Sequence, residues 1–326
     1  MQSEVSAVVV NYNGSRFLGD ALTPLFGQTV GDVEVVLVDN ASTDASLKLV
    51  EDRFQDQVQR GLLKVVRSDI NLGFAKGANL GLRSAIGKYV ACLNSDAFVS
   101  SDYFEKMIGA LESLHNAVAV GCILDTMGSY TRYASTFFRK GCIRSPESAE
   151  IILRPVYCLA PCGAAALYDR EVFLDVGGYD EGFVSDWEDH DLGYRLNVLG
   201  FRCIHNPDVT VRHVGAGSFG GVDFNRLKRI ARNMLLTYYK NCESFKLWKI
   251  LADVSVSQID SRRNEAEKYL SKEIFHPLRK GVAAIGGLCN FFRVASSYGD
   301  TRSRLQRSRR TSDREILHLT SGEIEW

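Results

Sequence analysis

Four apolar, largely β-branched runs in the first hundred residues, each ending in polar residues and the first three each followed by a helical pattern, constrain this chain more than any other feature. VSAVVVNY (5–12), VEVVLVD (33–39), LLKVVRS (62–68) and YVACLN (89–94) read as strands. Between them, SRFLGDALTPLFGQT, ASLKLVEDRF and NLGFAKGANLGLRSA read as helices, with Pro24 a misfit that removes a backbone donor and kinks the first. Strands that are apolar throughout are buried on both faces. The pattern therefore predicts an α/β domain with a central, mostly parallel sheet under helices. Ligands of such sheets sit at the carboxyl ends of the strands, and those ends hold Asn11 to Asn13, Asp39 to Asp44 and Asn94 to Asp96.

Further along, DYFEKMIGALESL reads as a helix and VAVGCI as a strand, while residues 125–157 give no element. CGAAALYDREVFLDVGGYDEGF then reads as a small-residue strand, a short helix and a Gly-Gly turn. SDWEDHDLGYRLNVLG follows as a helix capped by Ser185 and Gly200. FRCIHNP and VTVRHVG are predicted as two strands. From Asn225 onward the patterns are helical and basic, which divides the chain into residues 1–224 and a helical extension, 225–326.

The 326 residues carry 39 Lys and Arg against 39 Asp and Glu, so the total charge predicts neither a nucleic-acid binder nor an acidic-tail protein. The balance is uneven, with 20 basic against 11 acidic residues in 225–326 and 19 against 28 before them. A basic terminal third predicts contact with an anionic membrane surface, at roughly 1 kcal/mol per basic residue. Nucleic acid is set aside, because nothing else supports base recognition. The eight cysteines form no CxxC pair and read as reduced core residues, and Cys158 with Cys162 lacks two further metal ligands at matching spacing. MQSEVSAVVV has no basic n-region, and GVAAIGGLCNFF is too short to span a membrane. The expected location is cytoplasmic, peripheral on the cytoplasmic face of the membrane.

Three acidic clusters lie at element edges: Asp39 with Asp44, Asp96, and Glu188 with Asp189 and Asp191. Isolated acids are usually solvated, but carboxylates ending buried strands are costly unless a cation or donor meets them. A hard divalent cation with ribose hydroxyls is an economical explanation. Glu188 and Asp189 open a helix, where they complement its positive end and where one carboxylate can be fixed as a general base. His213, at a strand end before a glycine-rich loop, can complete a metal site with Asp96. The glycines of NLGFAKGANLG match neither GxGxxG nor a P-loop, although its backbone donors can still face a nucleotide.

The order of VVVNYNG, VVLVDNASTD, NLGFAKGANLG, YVACLNSDA, CGAAALYDREVFLDVGGYDEGF, WEDHDLGYRL and RHVGAGSF resembles family 2 glycosyltransferases of GT-A fold, in the rhamnosyltransferase-like branch, over about residues 4–220. That resemblance implies nucleotide-sugar contacts from Asn11, Asn13, Asp39, Asn40, Asp44, Asn71, Gly73, Lys76, Asn79, Asn94, Ser95 and Asp96. It implies that Asp96 ends a DxD-type motif holding Mg or Mn, with His213 a further ligand. Asp189 is implied as catalytic base with Glu188 as its alternative, and Trp187 stands on the acceptor side. The departure is Asn94, where a full DxD motif has Asp. The activity implied is inverting transfer of a hexose or deoxyhexose from a nucleoside-diphosphate sugar to a glycan or lipid-linked glycan. A nucleotide-sugar-binding scaffold without turnover is the rival that Asn94 favours; Glu188, Asp189 and His213 oppose it. A sugar-nucleotide pyrophosphorylase would need a glycine- and arginine-rich N-terminal loop, which VVVNYNGSRF is not.

Overall fold

The computed structural model describes residues 3–126, 130–133, 135–139, 142–144, 152, 154–214, 223–245, 247 and 277–320. Its strands are β1 (Val5–Asn11), β2 (Glu34–Asn40), β3 (Leu63–Ser68), β4 (Tyr89–Asn94), β5 (Ala97–Phe98), β6 (Ala117–Thr126), β7 (Tyr130–Tyr133), β8 (Ser135–Arg139), β9 (Cys142–Arg144), β10 (Val156–Cys158), β11 (Ala160–Pro161), β12 (Ala165–Asp169) and β13 (Arg202–His213). Its helices are α1 (Ser15–Leu22), α2 (Ser46–Arg53), α3 (Gln55–Gln59), α4 (Phe74–Ser84), α5 (Tyr103–Ser113), α6 (Arg170–Asp175), α7 (Glu188–Val198), α8 (Phe224–Asn241), α9 (Pro277–Ala295), α10 (Gly299–Arg307) and α11 (Asp313–Thr320).

The main sheet has the order β10-β13-β6-β12-β4-β1-β2-β3. Strands β3, β2, β1 and β4 are parallel, β12 runs against β4 and β6, and β13 returns parallel to β6. The predicted mostly parallel α/β sheet is therefore present. Alternate residues of β1 and β2 feed opposite cores: Val9 and Leu37 pack with Leu18 and Phe104, whereas Val8 and Val38 pack with Ala78 and Leu82. This double burial explains the unbroken apolar runs. Burial also pushes the Cys92 and Cys203 thiols up to about 12, as expected for core cysteines.

Several local expectations are corrected. The described part of 125–157 holds short strands, with β8 pairing β9 and β11 in a small second sheet and β7 pairing β6. Strands of three to five residues leave too few alternations to register as a period. FRCIHNP and VTVRHVG form one strand, β13, whose register against β6 shifts between His205 and Thr210. Pro207, which cannot donate to a ladder, lies inside that irregularity. At Pro24 the α-helix gives way to a 3-10 turn over Thr23–Gly27.

Helix α7 does not start at Ser185. It begins at Glu188, after Trp187 with φ of 74° and no side-chain cap. Its end is as predicted: Gly200, at φ of 92°, closes a Schellman turn in which Gly200 donates to Asn197 at 3.1 Å and Phe201 to Leu196 at 3.0 Å. The helices after residue 224 do not stand apart from this framework. Met234, Leu235, Tyr238, Phe291, Leu305 and Ile316 join Phe183, Trp187, Tyr194 and Val198 in a third core.

Helix α7 crosses β11 closely at Gly193, where an added Cβ would collide with the Ala160 side chain and lie 2.5 Å from the Leu159 carbonyl oxygen. Gly193→Ala should cost about 1–3 kcal/mol through overpacking, read as a fall of several degrees in the thermal unfolding midpoint. An unchanged midpoint would mean that the crossing relaxes freely.

Candidate active site

The carboxyl ends of β1, β2 and β4 meet in one polar cluster. Asn11 and Asp39 are neighbours in register, both buried, and the Asn11 amide donates to Asp39 at 3.3 Å and to Ser42 Oγ at 3.0 Å. The Ser42 amide donates to Asp39 Oδ2 at 3.2 Å. Among the described residues Asn11 Oδ1 has no partner, so a buried acceptor faces this cluster unsatisfied. Gly14 lies between the ends of β1 and β4, where a Cβ would stand 3.0 Å from Ser95 Oγ and press on Asn11.

Other expected donor contacts are engaged within the protein. Asn13 Oδ1 accepts from the Thr43 amide at 2.7 Å, and Asp44 accepts from Ser15 at 2.9 Å and from the Ser46 amide at 3.0 Å, tying the starts of α1 and α2 together. Asn40 donates to Asn71 at 3.0 Å and to the Gly73 carbonyl at 3.2 Å, which shapes the turn into α4. Asn79 is spent on the Tyr179 backbone, at 2.8 and 3.0 Å, and on Glu181. Lys76 is exposed in the first turn of α4. Gly73, at φ of 78°, faces the Val184 carbonyl with no room for a Cβ.

Asn94, Asp96 and His213 converge because β4 ends beside the end of β13, with β5 pairing His213 to Ala97. His213 Nε2 lies 3.1 Å from Asp96 Oδ1 and 3.1 Å from Asn94 Nδ2. One ring nitrogen cannot donate to the carboxylate and accept from the amide at once, so Nε2–H donates to Asp96 when the Asn94 amide turns its oxygen to the ring. Among the described residues no third His, Cys, Asp or Glu joins them. The donor set fits an ion that completes its shell with phosphate oxygens and water, as Mg and Mn do.

The second half of the site opens α7. Asp189 is buried and held from three directions: Oδ1 accepts from the His190 amide at 2.8 Å and from the ring Nδ1 at 2.6 Å, and Oδ2 accepts from Gly163 N–H at 3.0 Å. The His190 ring is stacked on Trp187, with centroids 4.5 Å apart. Burial alone would raise the Asp189 pKa, but the His190 charge and these donors hold it below the usual carboxylate value. Glu188 is the opposite case. Burial first, then the neighbouring Asp189 and Asp186 charges, push it well above its ordinary value, and its Oε2 has no partner among the described residues. Asp191, read with these two from sequence, turns away to bind Lys240 at 2.8 Å, Asn241 at 2.9 Å and Arg195 at 3.0 Å.

The two halves touch through the segment before α7, where the Val184 carbonyl accepts from Ala75 N–H at 3.0 Å. Val184, Asp186 and Trp187 all have positive φ, at 65°, 68° and 74°, a costly arrangement for non-glycine residues. Sequence reading missed His190, Gly163 and Lys240. His190 stood next to the predicted base, and a histidine between two acids is the signal that was there to use.

Because Glu188 is raised, between the ordinary carboxylate pKa and its folded value the unfolded chain is ionised while the folded chain keeps the proton. Stability therefore falls as pH rises through that window. Glu188→Gln removes this loss, so its gain in unfolding midpoint over the parent should be larger at pH 8 than at pH 5. Equal differences at both pH values would show that Glu188 is not raised in the folded protein.

Comparison with known proteins bears on the fold and the family. The family model described as Glycosyl transferase family 2 matches residues 6–177. An uncharacterized glycosyltransferase of Haemophilus influenzae is 27% identical over 318 residues, covering 93% of this chain and 94% of that protein. The structure of residues 1–349 of TarS from S. aureus in complex with UDP-GlcNAc superposes with a TM-score of 0.58 at 18% identity, covering 97% of this chain and 90% of the other. The mannosyltransferase PcManGT from Pyrobaculum calidifontis, in complex with GDP-Man and Mn2+, gives 0.56 at 18% identity, covering 94% and 86%. These neighbours share the GT-A fold, and with the family match over more than half of its length the chain belongs to glycosyltransferase family 2.

Proposed function

We propose that this family 2 glycosyltransferase inverts the anomeric centre as it moves a hexose or deoxyhexose, rhamnose among the candidates, from a nucleoside-diphosphate sugar to a hydroxyl of a growing surface glycan. The observation that carries the reading is the contrast within the Glu188–Asp189 pair. Asp189 is ionised and fixed by three hydrogen bonds, while the neighbouring Glu188 presents an unpartnered oxygen. A base held in that way takes the proton of the acceptor hydroxyl as its oxygen attacks the anomeric carbon. The bond to the diphosphate breaks with its electron pair on the leaving oxygen. No carboxylate nucleophile is needed, and one displacement inverts the centre. Glu188 accepts or donates a hydrogen bond to a sugar hydroxyl.

On the donor side, Asn11 and Asp39 meet the nucleotide at the ends of β1 and β2, and Asp96 with His213 would hold Mg or Mn. Bound there, the ion supplies Lewis-acid neutralisation of the charge that develops on the diphosphate. The complexes of the fold neighbours with UDP-GlcNAc and with GDP-Man and Mn2+ support this assignment. The non-catalytic rival rests on Asn94, and turnover decides between them.

Membrane contact is narrower than the count of basic residues implies. Arg226 and Arg229 bind Asp186, Lys240 binds Asp180 and Asp191, and Arg302 and Arg309 bind backbone carbonyls. Among the described residues one surface combines apolar exposure with charge: on α9, Val282, Ile285 and Phe292 are 52%, 63% and 59% exposed along one face, with Arg293 beside them. No described helix is long and apolar enough to cross a membrane. An apolar stripe with flanking cations suits the interface of an anionic bilayer, and through it a lipid-linked acceptor.

Nucleoside diphosphate release should appear with one of the UDP-, dTDP- or GDP-sugars, with Mg or Mn and not with chelator. Asp189→Asn should lower transfer about 10²- to 10⁴-fold with donor binding retained. Near-normal transfer by Asp189→Asn beside an inactive Glu188→Gln would reverse the two roles. In sedimentation with vesicles, the chain should pellet with phosphatidylglycerol-containing and not with purely zwitterionic lipid, and Ile285→Glu should abolish this. Equal pelleting of Ile285→Glu would remove α9 from the contact.

A further inference from the structure

Helix α8 lies beyond the 6–177 family match, yet its side chains converge on the segment that carries the strained residues before α7. Asn233 is fully buried, and its side-chain nitrogen lies 3.0 Å from the Phe183 carbonyl, 3.0 Å from that of Ser185 and 2.7 Å from that of Asp186. Its Oδ1 accepts from Arg232 at 2.6 and 2.9 Å. That pair of bonds fixes which way the amide faces, since guanidinium groups only donate. Arg232 also donates to the Gly182 carbonyl at 2.9 Å, and Arg229 to the Ser185 carbonyl at 3.2 Å and the Asp186 carboxylate at 2.9 Å. Every residue from Gly182 to Asp186 except Val184 is thus gripped from one helix face, and Val184 is held from the donor side by Ala75.

We propose that Asn233 is a positioning residue for transfer: its amide, oriented by Arg232, collects the carbonyls of the left-handed segment and so sets the direction in which Glu188 and Asp189 leave it. The positive φ of Val184 and Asp186 bends the segment so that the Phe183, Ser185 and Asp186 carbonyls all reach Asn233. Buried carbonyls need partners, and here the two hydrogens of one amide are shared among three, with Arg229 and Arg232 adding donors to Ser185 and Phe183. Trp187 follows Asp186 directly and supplies both the residue before α7 and the surface on which His190 stacks. A shift of the 183–186 backbone therefore moves the His190 ring and the carboxylate it holds. Asn233 touches neither substrate nor reacting atoms in this scheme, and the donor cluster at Asn11 and Asp39 is independent of it.

The proposal rests on the transferase reading for its kinetic test, and a second readout is independent of it. In the full-length chain, Asn233→Ala should lower kcat of nucleotide-sugar turnover by about 10²-fold, the scale of a small misplacement of reacting groups, while KM for the donor and nucleoside-diphosphate affinity by calorimetry stay within about twofold. Asn233→Ser, which keeps one donor, should recover part of kcat. With Trp248 and Trp326 replaced by Phe, acrylamide quenching of Trp187 should rise in Asn233→Ala, whether or not any sugar donor is turned over. The proposal is overturned if Asn233→Ala keeps kcat within twofold, if nucleotide affinity falls in proportion to kcat, or if Trp187 quenching is unchanged. A parent chain that turns over no donor, with Trp187 still responding to Asn233→Ala, would fail the transferase reading and leave the positioning role standing.

Discussion

The buried acids at the start of α7 depend on a backbone segment that is unfavourable by itself. Val184, Asp186 and Trp187 each adopt a left-handed conformation without being glycine, at about 1–3 kcal/mol per residue. Such a segment persists only when its surroundings over-determine it. Here the surroundings are the first turn of α4, which meets the Val184 carbonyl, and α8, which meets the carbonyls on either side. The result is a helix, α7, whose first residues are buried acids, although exposed acids would serve a helix start as well. A fold that needed only stability would not place Glu188 there without a partner for Oε2.

The donor side is organised by a different rule. Parallel strands deliver their carboxyl ends to one edge, and ligands of such sheets sit outside that edge. Asn11, Asp39, Asn94 and Asp96 are in that position because β1, β2 and β4 are adjacent in register. The ends are not loose. Asp44 ties the starts of α1 and α2, and Asn40 ties the turn before α4. Much of the polar content that reads as ligand contact from sequence also braces the edge itself, while Asn11 Oδ1 stays unsatisfied among the described residues and Asp96 meets His213.

This division also explains how much could be read in advance. The four parallel strands were legible because each is six or seven residues long, and β1, β2 and β4 are buried on both faces, enough for composition and period to agree. Residues 125–157 were not, because β7, β8 and β9 are three to five residues each and gain their stability from pairing with β6, β11 and one another. Ser185 looked like a helix cap because serine before acids usually is one; the tertiary clasp on 182–186 overrides local preference and delays the helix to Glu188. The pair Asp96 and His213 was legible from strand ends alone, whereas the place of His190 between two acids hints at its contact to Asp189 but not at the stacking over Trp187 that orients the ring.

The charge asymmetry was visible in the sequence, but its meaning was not. An acidic body and a basic tail suggest a tail seeking an outside anion, yet many of the cations find their anions within the chain. Lys240 is 1% exposed and lies 2.8 Å from Asp191, itself wholly buried, with Asp180 at 2.5 Å as a second acid. Leaving such a buried carboxylate without its cation costs about 3–5 kcal/mol, a large fraction of the roughly 5–15 kcal/mol by which domains are stable. Arg226 and Arg229 do the same for Asp186 at the edge of the strained segment. The boundary at residue 224 therefore separates two halves of one set of ion pairs. Helix α8 completes both the third core and the electrostatics of the acid-bearing loop, so it is part of the structure that presents Glu188 and Asp189.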